Sequence, residues 1–542
     1  MTTAGRVAPG VGLRNAGVGD LAAMAEVFVH AWRSGYRGVV PDEVIDAMEP
    51  SDVAGDLAAG LDNPRLATVL AVGADGNPVG FTRFGEDAEH ADGAYLAALY
   101  VHPAAGGLGV GRTLLRHALD AMPDRDVRLW VFEANSRARD VYERAGFRLE
   151  GPRRTDPRWR TPQVLMRRPA RNRPRPLPPL PDLELPPVDG LSTAVVRRPL
   201  RRPFRTALRT VRALSAIEVS LHTSSGIRAI GTTVATPAIT GDTEESILAA
   251  LHGPITGALR RGPRTLAEAV DAIGAAAAGV PSARAAADLA LHHLAAEYAG
   301  LGRSADQGSD GGAASAGAAS GDPAEAGWLP ALLGNAAAPV RSDLTVSVDS
   351  PSAMAAAARE AVAEGFDTLK LKLADPEADV QRVAAVHAAL GGGDRATVLR
   401  VDANQAWSPS DAVRVLDGIA ALGIDLELVE QPVRADDIAG LAAVRRASPW
   451  PVLADESVFT AEDVRRVADA SAADLVNLKL LKCGGLGPAR EVVAACAETG
   501  LGLVVGCMLE PAEGVAAARH LAAAATEGPM AHDLDAGWWA AV

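Results

Sequence analysis

Three carboxylates stand at regular intervals late in the chain: Asp402, Glu430 and Asp455, 28 and 25 residues apart. Each lies in or directly after a short apolar run. Carboxylates converging from neighbouring strand ends repel one another unless a cation sits between them, and oxygen ligands without His or Cys favour Mg²⁺. Lys370 and Lys372 are two apart on a strand, so both face the same way, with Leu369, Leu371 and Leu373 on the other face. Lysines aimed into a protein interior need a role, because a buried cation without a partner is costly. An ionic network in which they merely neutralise the acids is the plainer reading. Lys479 follows Asp455 by 24 residues and would reach a central ligand from the side opposite Lys372. That pair suits taking a proton from one face of a carbon and returning it to the other. The proton beside a carboxylate is very weakly acidic. A metal holding both oxygens can stabilise the enediolate, and a desolvated lysine beside other cations can have its pKa lowered enough to act as a base.

The elements that must position these groups are eight apolar runs: Thr345–Val348, Thr368–Leu373, Val398–Asn404, Leu426–Pro432, Val452–Ser457, Leu475–Lys479, Leu503–Glu510 and Met530–Asp535. They recur every 23 to 30 residues, with Ala-rich amphipathic segments between them. This is the rhythm of βα units, and eight of them predict a closed barrel whose chemistry sits at the C-terminal strand ends.

Lys370-Leu-Lys372, Asp402-Ala-Asn-Gln-Ala-Trp407, Glu430-Gln-Pro432, Ala454-Asp-Glu-Ser457 and Asn477-Leu-Lys479 with Lys482-Cys-Gly-Gly485 resemble the enolase superfamily, muconate-lactonizing subgroup. Within it they are most similar to dipeptide epimerases of the L-Ala-D/L-Glu type, over residues 190 to 542. The resemblance implies a capping domain and a modified (β/α)8, that is (β/α)7β, TIM barrel. It implies one Mg²⁺ on Asp402, Glu430 and Asp455, Lys372 and Lys479 as paired acid and base, and Lys370 as an electrostatic helper. Asp533 and Asp535 would bind a dipeptide's ammonium group and Arg209 its side-chain carboxylate, with Thr345, Cys507 and Met508 lining the pocket. N-acylamino-acid racemase, o-succinylbenzoate synthase and cycloisomerase would use the same metal and lysines, but their substrates carry no free ammonium group.

An earlier segment holds a second candidate site. Strands are predicted at Leu66–Val72, Pro78–Phe84, Ala94–Val101 and Leu129–Asn135, with helical periodicity after Asp20. Between the third strand and the helix Arg112–Met122 lies Ala104-Ala-Gly-Gly-Leu-Gly-Val-Gly111. Glycines there let free N–H groups face a pyrophosphate, although a tight turn explains them equally well. With Asn135, Ala138, Tyr142, Gly146 and Phe147, this segment resembles the GCN5-related N-acetyltransferase (GNAT) family over most of residues 10 to 167. The resemblance implies an α+β domain binding acetyl-CoA through Val101, Gly107, Gly109, Gly111, Arg112 and Asn135. Tyr142 would be the general acid for the departing thiolate; the plainer reading has it packing a helix against the sheet. Gly106 replaces the Gln or Arg usual in the family, and His102 is a candidate base.

The 542 residues thus divide into a GNAT-like domain (1–168), a Pro/Arg-rich linker (169–189), an enolase-type cap (190–340) with a low-complexity insertion (302–327), and the barrel (341–542). Between the cap's first two strands, Leu191–Val196 and Ser215–His222, a basic loop, Arg201–Val211, is expected. The expected partners are a dipeptide at the barrel and an amine acceptor at the N-terminal domain. The oligomeric state is left open, a homo-oligomer included. A net charge of −14 argues against a nucleic-acid surface. Three Cys, all after residue 482, exclude a disulfide framework, and no apolar run reads as a leader or a membrane span. A cytoplasmic enzyme is the expectation.

Overall fold

The computed structural model describes residues 11–540 except 75, 91–92, 123–124, 157, 169, 302–327, 334–339 and 392–396. The low-complexity insertion therefore lies outside the described residues. Two compact units are present, one up to Arg171 and one from Asn172.

The first unit is a seven-stranded sheet in the order β1-β2-β3-β4-β5-β7-β6. Its strands are β1 (Gly12–Asn15), β2 (Leu66–Val72), β3 (Pro78–Glu86), β4 (Ala94–Val101), β5 (Val127–Phe132), β6 (Arg148–Thr155) and β7 (Pro162–Arg168). Alternation along the strands feeds two cores. Val69, Leu96 and Leu129 pack with the helix Val110–Asp120. Leu70, Phe81 and Phe132 pack with Met24, Val27 and Trp32 of the helix Leu21–Gly35. β4 and β5 run parallel and are joined at Ala94–Val127 and Tyr95–Arg128 alone, so their later residues part company.

In the second unit, an antiparallel sheet of β8 (Val188–Arg205), β9 (Thr210–Thr223) and β10 (Arg228–Val234) leads into helices, among them Pro281–Tyr298. The expected basic loop is instead largely strand. β8 and β9 pair out to Arg205–Thr210, leaving a tight turn closed by Thr206 N–H donating to Arg209 O at 2.9 Å. The seven parallel strands that follow are β11 (Leu344–Val346), β12 (Thr368–Lys372), β13 (Val398–Asp402), β14 (Leu428–Glu430), β15 (Val452–Ala454), β16 (Leu475–Lys479) and β17 (Gly502–Gly506), hydrogen-bonded in chain order.

The eighth run, Met530–Asp535, is not a ladder strand. It closes the barrel through two bridges, Gly506 with Asp533 and Ser342 with His532. Asp533 N–H donates to Val505 O at 3.0 Å on one side, and Asp343 N–H donates to His532 O at 2.8 Å on the other. Leu428, Leu453, Leu475, Val504 and Met530 form a buried cluster contributed by β14–β17 and the closing run. Each such burial contributes about 1.5–3 kcal/mol.

The segment expected as a solvated linker is partly structural in the second unit. Asn172 is fully buried, its Nδ2 donating to Met530 O and its Oδ1 accepting from Met530 N–H, both at 2.9 Å. Further on, Leu185 N–H donates to Arg264 O at 2.8 Å. Proline fixes the extended backbone, and polar contacts hold it against the domain. No helix of the described residues is long and apolar enough to cross a membrane.

Candidate active site

The parallel register sets the charged groups at one level: Lys372 pairs with Asp402, and Asp402 with Glu430. A pocket with about 540 Å³ of empty space, open to solvent, gathers Arg209, Thr345, Lys370, Lys372, Asp455, Lys479, Cys507, Met508, Asp533 and Asp535 along its wall. Ten positions singled out from sequence thus share one cavity. Asp402 and Glu430 do not line it; each is reached through a lysine that does. The lysines are 2–5% exposed.

Each of the three lysines is paired with an acid. Lys372 is bonded to Asp402, and Lys479 Nζ lies 2.8 Å from Asp455 Oδ2. Lys370 Nζ lies 3.4 Å from Glu430 Oε2 and 2.6 Å from Asp533 Oδ2. Lys482 binds both the backbone and the side-chain oxygen of Asp455. Among the described residues, no group of three acidic, His or Cys side chains is assembled as a metal cage. Asp402, Glu430 and Asp455 do lie near one another, close enough for the other two to add to burial in raising the pKa of Glu430, and each also meets an ammonium.

The same pairs set the electrostatics of the lysines. Burial would push Lys370 and Lys479 down, but Asp533 and Glu430 at the first, and Asp455 and Asp533 at the second, outweigh it and hold both well above the ordinary lysine value. Burial, then the nearby Asp402, pushes Glu430 up to about 7. Burial would raise Asp533, but Lys370, Lys479 and Lys372 hold it far below the usual carboxylate range. Asp535 is raised by burial and by Asp533, and its Oδ2 accepts from Thr345 N–H at 2.7 Å and Trp539 Nε1 at 3.1 Å. The donor set suits a hard divalent cation: it is all oxygen, its acids crowd one another, and the Oδ1 atoms of Asn404 and Asn477 lie buried beside it without a donor among the described residues.

Arg209 sits where the β8–β9 hairpin meets the pocket. Burial lowers its pKa, and no carboxylate of the described residues pairs with its guanidinium. Close approach beside Lys479 depends on a glycine: a Cβ at Gly506 would meet Lys479 Cε at 2.7 Å.

Several residues to which the sequence reading gave no role of their own join the site. Asn477 Nδ2 donates to Glu430 Oε1 at 2.8 Å and to Asp533 Oδ2 at 3.3 Å, tying two acids together. It stands two residues before Lys479, so strand alternation could have revealed it. The same spacing puts Arg400 beneath Asp402, where it holds Asp343 at 2.8 Å and Glu427 at 2.6 Å. Lys482, part of the Lys482-Cys-Gly-Gly485 motif, lies in the short helix Leu480–Cys483 that directly follows β16.

In the first unit, Gly107 and Gly109 take left-handed φ of 79° and 84°, conformations that favour glycine, and Gly109 caps the helix that contains Gly111 and Arg112. Val101 ends β4 just before this loop. Asn135 Oδ1 accepts from Ala138 N–H at 3.0 Å, so it is a helix cap. Tyr142 packs edge-on to Phe147, ring centres 5.7 Å apart, and burial raises its pKa strongly. Its surroundings are those of a packing residue. His102 Nδ1 accepts from Ala104 N–H at 3.2 Å.

Comparison with known proteins follows this division. The family "Enolase C-terminal domain-like" matches residues 353–541, and "Mandelate racemase / muconate lactonizing enzyme, N-terminal domain" matches 190–303. The acetyltransferase (GNAT) family matches 26–147. The L-Ala-D/L-Glu epimerase of Bacillus subtilis is 36% identical over 336 residues, 61% of this chain and 84% of that protein. The hydrophobic dipeptide epimerase of Enterococcus faecalis is 33% identical over 339 residues, 62% of this chain and 87% of that protein. A solved dipeptide epimerase from Enterococcus faecalis, complexed with Mg and the dipeptide L-Leu-L-Tyr, matches with a TM-score of 0.55 at 30% identity, covering 67% of this chain and 92% of that one.

Proposed function

We propose that this chain, which belongs to the mandelate racemase/muconate lactonizing group of the enolase superfamily and carries a GNAT-family domain ahead of it, epimerises dipeptides that have a free amino group and an acidic C-terminal residue. One observation carries the reading: a single pocket presents two lysines for proton transfer, an acid pair for an ammonium group, and an arginine with no carboxylate partner among the described residues.

In this reading Lys372 and Lys479 stand on opposite sides of the substrate's α-carbon. One removes the α-proton, the electron pair passes into the carboxylate as an enediolate, and the other lysine returns a proton to the opposite face. Lys479 lies 2.8 Å from Asp455 Oδ2 and 3.4 Å from Asp533 Oδ2. Asp402, Glu430 and Asp455 would hold a magnesium ion, which supplies the positive charge that stabilises the doubly charged enediolate. Lys370 adds charge beside the same carboxylate. The substrate's ammonium group shares Asp533 with Lys370, and Arg209 takes the side-chain carboxylate. Racemases of N-acylated amino acids are disfavoured by the same wall, since an acylated nitrogen offers Asp533 no positive charge.

For the first unit the proposal is acyl transfer from acetyl-CoA to an amine. Backbone N–H groups of Gly107, Gly109, Gly111 and Arg112 would face the pyrophosphate and Val101 the pantetheine arm.

Incubation with Mg²⁺ and a dipeptide library in D₂O tests the central reading. Deuterium should appear at the α-carbon of the C-terminal residue together with inversion, most rapidly for L-Ala-L-Glu. Absence of exchange with every dipeptide defeats it.

A further inference from the structure

A second surface pocket opens beside β14 and β15, with Asp436, Ile438, Glu456, Phe459, Asp463 and Arg466 among its lining residues. It shares no lining residue with the pocket described above. Glu456 follows Asp455 directly, and the two side chains part: Asp455 enters the first pocket, Glu456 the second.

Glu456 is 5% exposed, and its Oε1 accepts from Asn404 Nδ2 at 3.2 Å. The same amide nitrogen donates to Asp402 Oδ2 at 3.3 Å. Asn404 lines the first pocket, so this hydrogen bond joins the two cavities and passes Asp402 on the way. Two oxygens on the path, Glu456 Oε2 and Asn404 Oδ1, are buried and lack a partner among the described residues. Buried acceptors left unpaired are costly, so they mark a place where a ligand completes the structure. Asn404 and Gln405 hold positive φ of 42° and 71°, backbone strain of the kind that collects at binding sites.

A cation would supply the partner these oxygens lack. The second pocket brings three carboxylates to its wall against the guanidinium of Arg466, which is already tied to Asp463 at 2.8 Å and to Ser457 O at 3.1 Å. At the rim, Asp436 is paired with Arg434 at 3.0 Å, and Glu456 makes no ion pair among the described residues.

We propose that the second pocket is the route by which a hydrated divalent cation reaches the carboxylates, with Glu456 and Asn404 passing it inward to Asp402. The proposal rests on Asp402, Glu430 and Asp455 being the holders of the metal. It separates two paths: the dipeptide enters between the lysines and Arg209, and the cation from the side.

The test uses the full chain stripped of metal and Mn²⁺ as a spin probe, following the loss of the free-ion resonance after rapid mixing. Glu456→Gln removes the acid, and Ile438→Trp narrows the pocket without touching any charge. Both should slow Mn²⁺ uptake by about tenfold, because an acidic cleft speeds cation arrival on that scale. Equilibrium affinity should stay close to the wild-type value in Ile438→Trp. Wild-type uptake rates in both variants overturn the route. Slow uptake in Glu456→Gln with unchanged uptake in Ile438→Trp overturns it too, since Glu456 would then act near the ion and the pocket would not be the way in. If the wild-type chain takes up no Mn²⁺, the metal reading itself fails and the route with it.

Discussion

Lys370 Nζ bridges two acids that belong to different tasks, lying 2.6 Å from Asp533 Oδ2 and 3.4 Å from Glu430 Oε2. One carboxylate belongs to the proposed metal set and the other to the proposed ammonium site, so the strength of each depends on the other. Asp533→Ala should therefore weaken recognition of the substrate's free amine while leaving Lys370 with Glu430. The expected result is a KM for L-Ala-L-Glu raised by about 10- to 100-fold, the scale of a charged hydrogen bond. The N-acetylated dipeptide, which lacks the ammonium group, should be a poor substrate for both proteins. An unchanged KM would remove the dipeptide assignment.

If two lysines serve opposite faces of one carbon, deleting either should stop inversion but spare half of the exchange. Lys479→Met is expected to lower epimerisation by about 10²–10⁴-fold, the scale of general acid–base catalysis. Washing of deuterium into one epimer should persist, through Lys372, while the other epimer stays protonated. Proton NMR in D₂O reads both. Loss of exchange from both epimers alike would mean that the lysines act together on one face.

The spacing of the strand ends made the barrel and its lysines legible, because a period of two along a strand and one βα unit between strands are both visible in a sequence. The closing run was legible as an apolar segment and not as two isolated bridges, since its pairing depends on β17 and on Ser342, far away in the chain. Asn172 was hidden for another reason. It sits among prolines and arginines that look solvated, and its burial follows from contacts with Met530 that no local pattern announces. The pairing of each acid with a lysine was likewise out of reach: residue types supply the charges, but which ammonium a carboxylate selects is settled by side-chain geometry.

Arg209 faces the pocket without a carboxylate partner among the described residues, and burial already lowers its pKa. A desolvated cation of this kind gains most from an anionic ligand group. Arg209→Met should lower kcat/KM for L-Ala-L-Glu by about 10- to 100-fold and raise the relative rate with L-Ala-L-Leu. Steady-state rates with the two dipeptides decide it. Equal losses for both would make Arg209 a structural residue of the hairpin.

The loop in the first unit makes a separate prediction. Gly109 holds φ at 84°, and a branched side chain there would be strained by about 1–2 kcal/mol. Gly109→Val should abolish acetyl-CoA binding by the full chain, measured by calorimetry, and leave dipeptide epimerisation at the wild-type rate. Retained binding would show that the loop is a turn and nothing more.

His532 sets an acid limit on the barrel. Its Nδ1 accepts from Val505 N–H at 3.0 Å, which requires the neutral ring. Burial, then the charge of Arg400, pushes its pKa down to about 3. The unfolded chain binds this proton near pH 6.5, so the contribution of His532 to stability is complete above that pH and is lost as pH falls toward 3. By pH 4.5 the loss should reach about 2.5 kcal/mol. His532→Asn keeps an acceptor for Val505 but cannot titrate. It should be less stable than the wild type at pH 7, through lost packing, and the gap should narrow between pH 6.5 and pH 4.5 in urea unfolding of the full chain. A gap that stays constant with pH would show that His532 is protonated equally in the folded and unfolded chains.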